Sequence, residues 1–170
     1  MARALIVGCG CRGRELGERL LAEGWAVRGT SRREEGMAAI EAAGIEPAQA
    51  DPDRPGTILE LVGDVAILVL LLGGAEGSDE ELAAIHGPRL ERLMEHLVET
   101  PVRAVLYEGT EEGAGVVEAA ARTWRIPVRV LVPSPRQVGH SPTSRGLAEE
   151  VHGLLAGEPK ELNSDKNLGN

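Results

Sequence analysis

Six short apolar runs recur along the chain, each followed by a stretch whose apolar residues have helical spacing. This alternation constrains the fold more than any other feature. Runs this short suit strands, and a helix between successive strands carries the chain back for parallel pairing. The pattern predicts strands at 4–8, 26–30, 46–50, 65–72, 102–107 and 128–132, with helices at 13–23, 34–43, 54–62, 79–99, 111–125 and 144–156. Gly24 and Gly44 stand where helix ends favour a residue tolerant of positive φ, and Pro101 and Pro127 stop helices ahead of the next strand. The run "AILVLLLGG" at 66–74 is apolar on both faces, as a central strand covered by helices must be. Right-handed crossovers then favour an α/β protein with a three-layer Rossmann fold, a doubly wound parallel sheet in the order 3-2-1-4-5-6. Any ligand would lie across the carboxyl ends of strands one and four.

The chain's 170 residues, 42% of them hydrophobic, suffice for one well-buried core. A single domain is expected over 1–156, with a polar, flexible tail at 157–170, "GEPKELNSDKNLGN". A net charge of −9 repels nucleic acid and anionic membrane surfaces. With no Phe and only Trp25, Trp124 and Tyr107 as aromatic residues, base-stacking platforms are missing as well. No apolar run approaches the roughly 18–20 residues that span a bilayer, and the first strand begins without a signal-peptide pattern. A cytoplasmic protein is expected. Cys9 and Cys11 flank one residue, a spacing that points their side chains apart and excludes a disulfide framework.

Gly8, Gly10 and Gly13 form GxGxxG after the first strand and at the mouth of the first helix. In that context the first glycine permits a tight turn, the second lets a diphosphate approach bare main chain, and the third lets the helix pack close to the sheet. The helix start adds free N–H groups and a positive dipole end. Cys9, Cys11 and Arg12 fill the remaining loop positions. Nucleotide binding follows.

The end of the second strand discriminates between nucleotides. An NAD site places Asp or Glu there, about 20 residues after the glycines, to accept from the ribose 2′-hydroxyl. This chain has Thr30, Ser31, Arg32 and Arg33 instead. Hydroxyls and guanidinium groups suit a 2′-phosphate, so NADP is favoured over NAD. Arg12 is expected to reach over the adenosine ribose from the other side. The missing acid also counts against an S-adenosylmethionine site.

These residues, with "GIEPAQADPDRPG" and "DVAILVLLLGG", resemble the coenzyme half of atypical extended short-chain dehydrogenases, the NAD-dependent epimerase/dehydratase group with its NAD(P)-sensing NmrA-like relatives. The resemblance spans about residues 2–139 and is strongest in the first 75. It implies that Asp51 contacts the adenine and that Gly73 and Gly74 border the nicotinamide ribose. It also implies that "VLYEGT" is the strand ending in the catalytic serine or threonine, and that "IPVRVLVPSPRQVGH" lines the nicotinamide end. The family's Tyr/Lys dyad has no counterpart. The one tyrosine, Tyr107, lies inside a predicted strand, position 111 is Glu, and the only lysines are Lys160 and Lys166 in the tail. The serine position is altered to Glu108, Gly109 and Thr110, and the family's substrate-binding part is largely missing after residue 139.

His86, His96, His140 and His152 show no close metal-ligand spacing, so no metal site is expected, although His140 would face the cleft if its loop folds back. The acidic loops "GAEGSDEE" and "EGTEEG" suit helix starts. At the carboxyl edge Glu108, Glu111 or Glu112 could also meet a cationic substrate or act as a base. The sequence points to an NADP(H)-binding or sensing module without the usual dyad. The alternatives are an NADP-dependent reductase with a non-standard site, in which substrate, water or a glutamate replaces the dyad, and a structural or partner-binding Rossmann relic. The helices at 79–99 and 111–125 offer surfaces for a homodimer.

Overall fold

A computed structural model describes residues 1–132 and 143–157. Six parallel strands form one sheet: β1 (Arg3–Val7), β2 (Ala26–Ser31), β3 (Glu46–Gln49), β4 (Ile67–Leu71), β5 (Ala104–Glu108) and β6 (Val128–Leu131). Their order is β3-β2-β1-β4-β5-β6, the doubly wound Rossmann order expected. Between and after them lie α1 (Cys11–Ala22), α2 (Glu34–Ala42), α3 (Pro55–Leu59), α4 (Asp79–His86), α5 (Pro88–Leu97), α6 (Glu111–Trp124) and α7 (Ser144–Ala156).

Alternation of side chains along each strand sends the apolar runs to two cores. Leu5, Val7, Leu68, Leu70, Val105 and Tyr107 face one layer, where Ile58, Ile85, Leu90, Leu93 and Val117 of α3 to α6 cover them. Ala4, Ile6, Ile67, Val69, Ala104 and Leu106 face the other, under Leu16, Leu20, Ile40, Leu147 and Val151 of α1, α2 and α7. All five residues of β4 are buried, which explains its unbroken apolar run. The outer strands are more exposed, and Pro47 is tolerated on β3 because that strand has no neighbour on one side. At the amino end of the sheet Arg3 and Arg28 meet Glu46 and Asp64, tying β1, β2 and β3 together.

The helix expected over 79–99 is two helices. Proline has no N–H to donate and disfavours helical backbone in the residue before it. Gly87 accordingly takes φ −117°, ψ −107°, and α5 starts afresh with Pro88 as its first residue. The helix expected at 54–62 is likewise shorter, starting at Pro55 and ending at Leu59, and β4 and β5 begin two residues later than the apolar runs suggest. α1 begins at Cys11, so Gly13 lies inside its first turn rather than at its mouth. Gly24 and Gly44 adopt φ of +87° and +77°, as their positions after α1 and α2 imply. Of the expected tail at 157–170, residues 158–170 lie outside the described residues.

Candidate functional site

The carboxyl ends of β1, β2 and β4 open onto a cleft of about 510 Å3. Its floor is the loop between β1 and α1. Gly8 has φ +75°, and a Cβ there would run into the main-chain carbonyl of Leu71 on β4, so only glycine makes this turn. The loop is braced to β2 by a hydrogen bond from Cys9 N to Thr30 O at 3.2 Å. Above Gly10 nothing lies within 4 Å of where a Cβ would stand, leaving the main chain bare toward the cleft. The first turn of α1 has no side-chain cap and no acidic residue, whereas α4, α6 and α7 are capped by Ser78, Thr110 and Thr143. Its N–H groups and dipole end suit an anion.

The cysteines play different parts. Cys9 is buried, its Sγ against the positions a Cβ would take on Gly13 and Gly29, 3.3 and 2.7 Å away. Burial pushes its thiol pKa up to about 12, so it stays neutral and acts as packing. Cys11 is exposed, and its Sγ lies 3.4 Å from Nη2 of Arg14.

Thr30, Ser31, Arg32 and Arg33 line the same cleft as Gly8, Cys9, Gly10, Cys11, Arg12 and Gly13. The fold thus gathers the glycine loop and the end of β2 on one surface. Thr30 is buried, and Ser31 Oγ accepts from the N–H of Arg33 at 3.1 Å, fixing the turn into α2. Arg32 Nη2 donates to the main-chain oxygen of Glu76 at 3.1 Å, and Arg33 Nη2 lies 3.9 Å from Glu76 Oε2. Glu76, also on the cleft wall, belongs to the loop between β4 and α4. Reading the whole acidic stretch as a helix start missed it. The signal was present, since the capping box of α4 runs from Ser78 to Glu81 and leaves Glu76 outside the cap.

Other expected site residues fall around this cleft in different ways. Gly74 lines it, while Gly73 stands over Glu108, whose Oε1 is 3.2 Å from where its Cβ would be. Ala50 and Pro52 line the cleft on either side of Asp51. Asp51 Oδ1 accepts from the N–H of Asp53 at 3.0 Å, a local turn. Arg12 lines the cleft and extends toward β5, where its guanidinium pairs with Oε1 of Glu108. The Glu108 side chain is 3% exposed, and its Oε2 has no hydrogen-bond partner among the described residues. His140 and the rest of "PSPRQVGH" lie outside the described residues.

After β5, where the resemblance implies a catalytic serine or threonine, the hydroxyl of Thr110 caps α6 by accepting from Gly113 N at 3.1 Å. Tyr107 is fully buried on the face away from α1. Its hydroxyl accepts from Thr110 N at 3.0 Å and sits 2.7 Å from Nδ1 of His86, the two rings edge to face. In the tautomer that carries its proton on Nε2, Nδ1 accepts from the phenol O–H; in the other, Nδ1–H donates to the phenol oxygen. Burial lowers the His86 pKa below 6.5, against the raising effect of Glu112, and burial raises that of Tyr107. Both stay neutral near pH 7, and the phenol oxygen ties α4 to the start of α6. No group of three or more His, Cys, Asp or Glu able to hold a metal occurs among the described residues.

No protein-family model matches the chain, nor does any curated protein sequence. Its fold is similar to that of solved Rossmann proteins. UDP-glucuronic acid 4-epimerase from Bacillus cereus, in complex with NAD, has a TM-score of 0.61 at 12% identity over 76% of this chain and 56% of that one. Citrobacter sp. triphenylmethane reductase, complexed with NADP(H), has 0.60 at 19% identity over 79% and 50%. The protein gox2253 has 0.67 at 17% identity over 84% and 55%. The chain therefore spans about half the length of each of these. The resemblance to epimerase and reductase Rossmann proteins holds at the level of the fold. No helix among the described residues is long and apolar enough to cross a membrane.

Proposed function

We propose that the chain binds NADP(H) and acts as a cofactor-binding or sensing module of the epimerase/dehydratase type that lacks the usual Tyr/Lys dyad. The observation that carries this reading is the single cleft that joins bare main chain at Gly10, the uncapped start of α1, and the hydroxyl and guanidinium groups of residues 30–33. These groups fit a dinucleotide. The diphosphate would lie on the Gly8–Gly10–Gly13 loop and the start of α1, and the adenosine ribose and its 2′-phosphate against Thr30, Ser31, Arg32 and Arg33. Asp51 would stand at the adenine edge, and Gly73 and Gly74 beside the nicotinamide ribose. The bound group would supply hydride chemistry.

The likeness to proteins solved with NAD and with NADP(H) supports a nicotinamide dinucleotide. The module would work in the cytoplasm as a homodimer pairing through α5 and α6, the helices whose ends leave Val98 and Trp124 exposed. The burial of Tyr107, the capping role of Thr110 and the confinement of lysine to Lys160 and Lys166 support binding without the family's proton transfer.

Parallel titrations with NADP, NADPH, NAD and NADH test the reading. It expects NADPH and NADP to bind more tightly than their unphosphorylated counterparts. Failure of all four to bind would overturn it in favour of a structural relic. A second reading is favoured by the buried Glu108 beside Arg12: an NADP-dependent reductase in which a carboxylate replaces the dyad. Steady oxidation of NADPH by members of a carbonyl panel would select it over the pure binding module.

A further inference from the structure

We infer that Glu76 tempers the preference of the adenosine end of the cleft for NADP over NAD, by competing with a ribose 2′-phosphate for Arg32 and Arg33. The inference rests on the dinucleotide reading above and deepens it. Along the sequence, the end of β2 offers arginines and no acid, which favours a 2′-phosphate. In three dimensions an acid arrives from elsewhere. The loop after β4 places the Glu76 main-chain oxygen 3.1 Å from Arg32 Nη2 and its carboxylate 3.9 Å from Arg33 Nη2, with all three residues on the wall of one cleft.

A carboxylate at that point has two opposite effects. It occupies Arg33, a cation that a 2′-phosphate needs, and its negative charge repels the phosphate's own. Toward an unphosphorylated ribose it is an acceptor of the kind NAD sites supply from the second strand. NADP must therefore displace Glu76, whereas NAD can bind with it in place. The competing contact is weak, because the Arg33 and Glu76 side chains are 71% and 79% exposed. An exposed ion pair of this kind is worth about two- to fivefold in an equilibrium constant.

The test is Glu76→Gln, which keeps the shape and the main-chain oxygen and removes the charge. Affinities for NADPH and NADH are measured by fluorescence titration at low and high salt, with circular dichroism to confirm folding. We expect NADPH to bind about two- to fivefold more tightly and NADH no more tightly than to the native protein, with the difference shrinking at high salt. In an Arg33→Ala background the same substitution should lose most of its effect on NADPH, the signature of a direct coupling. Equal shifts for both dinucleotides, no shift, or weaker NADPH binding would overturn the role of Glu76 while leaving the dinucleotide site intact. Absence of binding to the native protein would overturn both.

Discussion

Tyr107 shows how one buried polar atom can organise its surroundings. Its hydroxyl lies between His86 on α4 and the N–H of Thr110 at the start of α6, and a Cβ on Gly109 or Gly113 would collide with it. The spacing Tyr-x-Gly-x-x-x-Gly in "YEGTEEG" thus has a packing cause, which the sequence alone left unexplained. Tyr107→Phe removes the oxygen and leaves the buried Nδ1 of His86 and the N–H of Thr110 without their partner. The expected cost is about 1–3 kcal/mol of unfolding free energy, measured by urea denaturation with an unchanged slope. The arginines show the reverse relation. They stand out in the sequence as a residue type at the end of a strand, but their contact with Glu76 does not, because 44 residues separate Arg32 from Glu76.

Among the elements, the loop from β1 into α1 carries two glycines under different constraints. Gly8 is held by positive φ and by Leu71, whereas Gly10 has φ −75° and ψ −156°, which side chains tolerate, and open space above it. Gly10→Val should therefore fold, at a cost of no more than about 1 kcal/mol for a poorer helix N-cap. Its isopropyl group would stand where the diphosphate is expected. We expect dinucleotide affinity to fall by more than about tenfold, or 1.4 kcal/mol, in the titrations above, with a melting temperature close to the native value. Unchanged affinity would place the nucleotide elsewhere. This loop was the most legible part of the site, since its motif, its strand and its helix adjoin in sequence. The break at Gly87 was less so. Apolar periodicity continues through "AAIHGPRLERLMEHL", and only the Gly-Pro pair marks where one helix becomes two.

The whole molecule's response to pH follows from two kinds of buried or paired group. His86 is neutral when folded and has its pKa lowered by burial, so the unfolded chain binds more protons than the folded one as pH falls through 6.5. Its contribution is fully present above that value and is lost as pH drops toward the folded pKa. Glu46 has its pKa lowered from 4.5: burial acts to raise it, but hydrogen bonds and charge from Arg28 and Arg3 outweigh that effect. Its contribution is present above 4.5 and lost as pH falls further. The melting temperature should therefore decline in two stages on acidification. His86→Gln should flatten the first stage and leave the second; a native protein whose melting temperature is level between pH 7 and 5 would contradict the buried neutral imidazole.

The alternating pattern was enough to specify the strand order, because helix and strand periods are local and right-handed crossovers leave few topologies open. The glycine loop was specified for the same reason. Tertiary structure alone brought Glu76 to the arginines, Arg12 to Glu108 across 96 residues, and His86 to Tyr107 across 21. Those pairings depend on which loops the folded sheet places side by side at its carboxyl edge. Short-range spacing carries no record of such neighbours, since a charge finds its partner only after the core beneath it has set the distance between them.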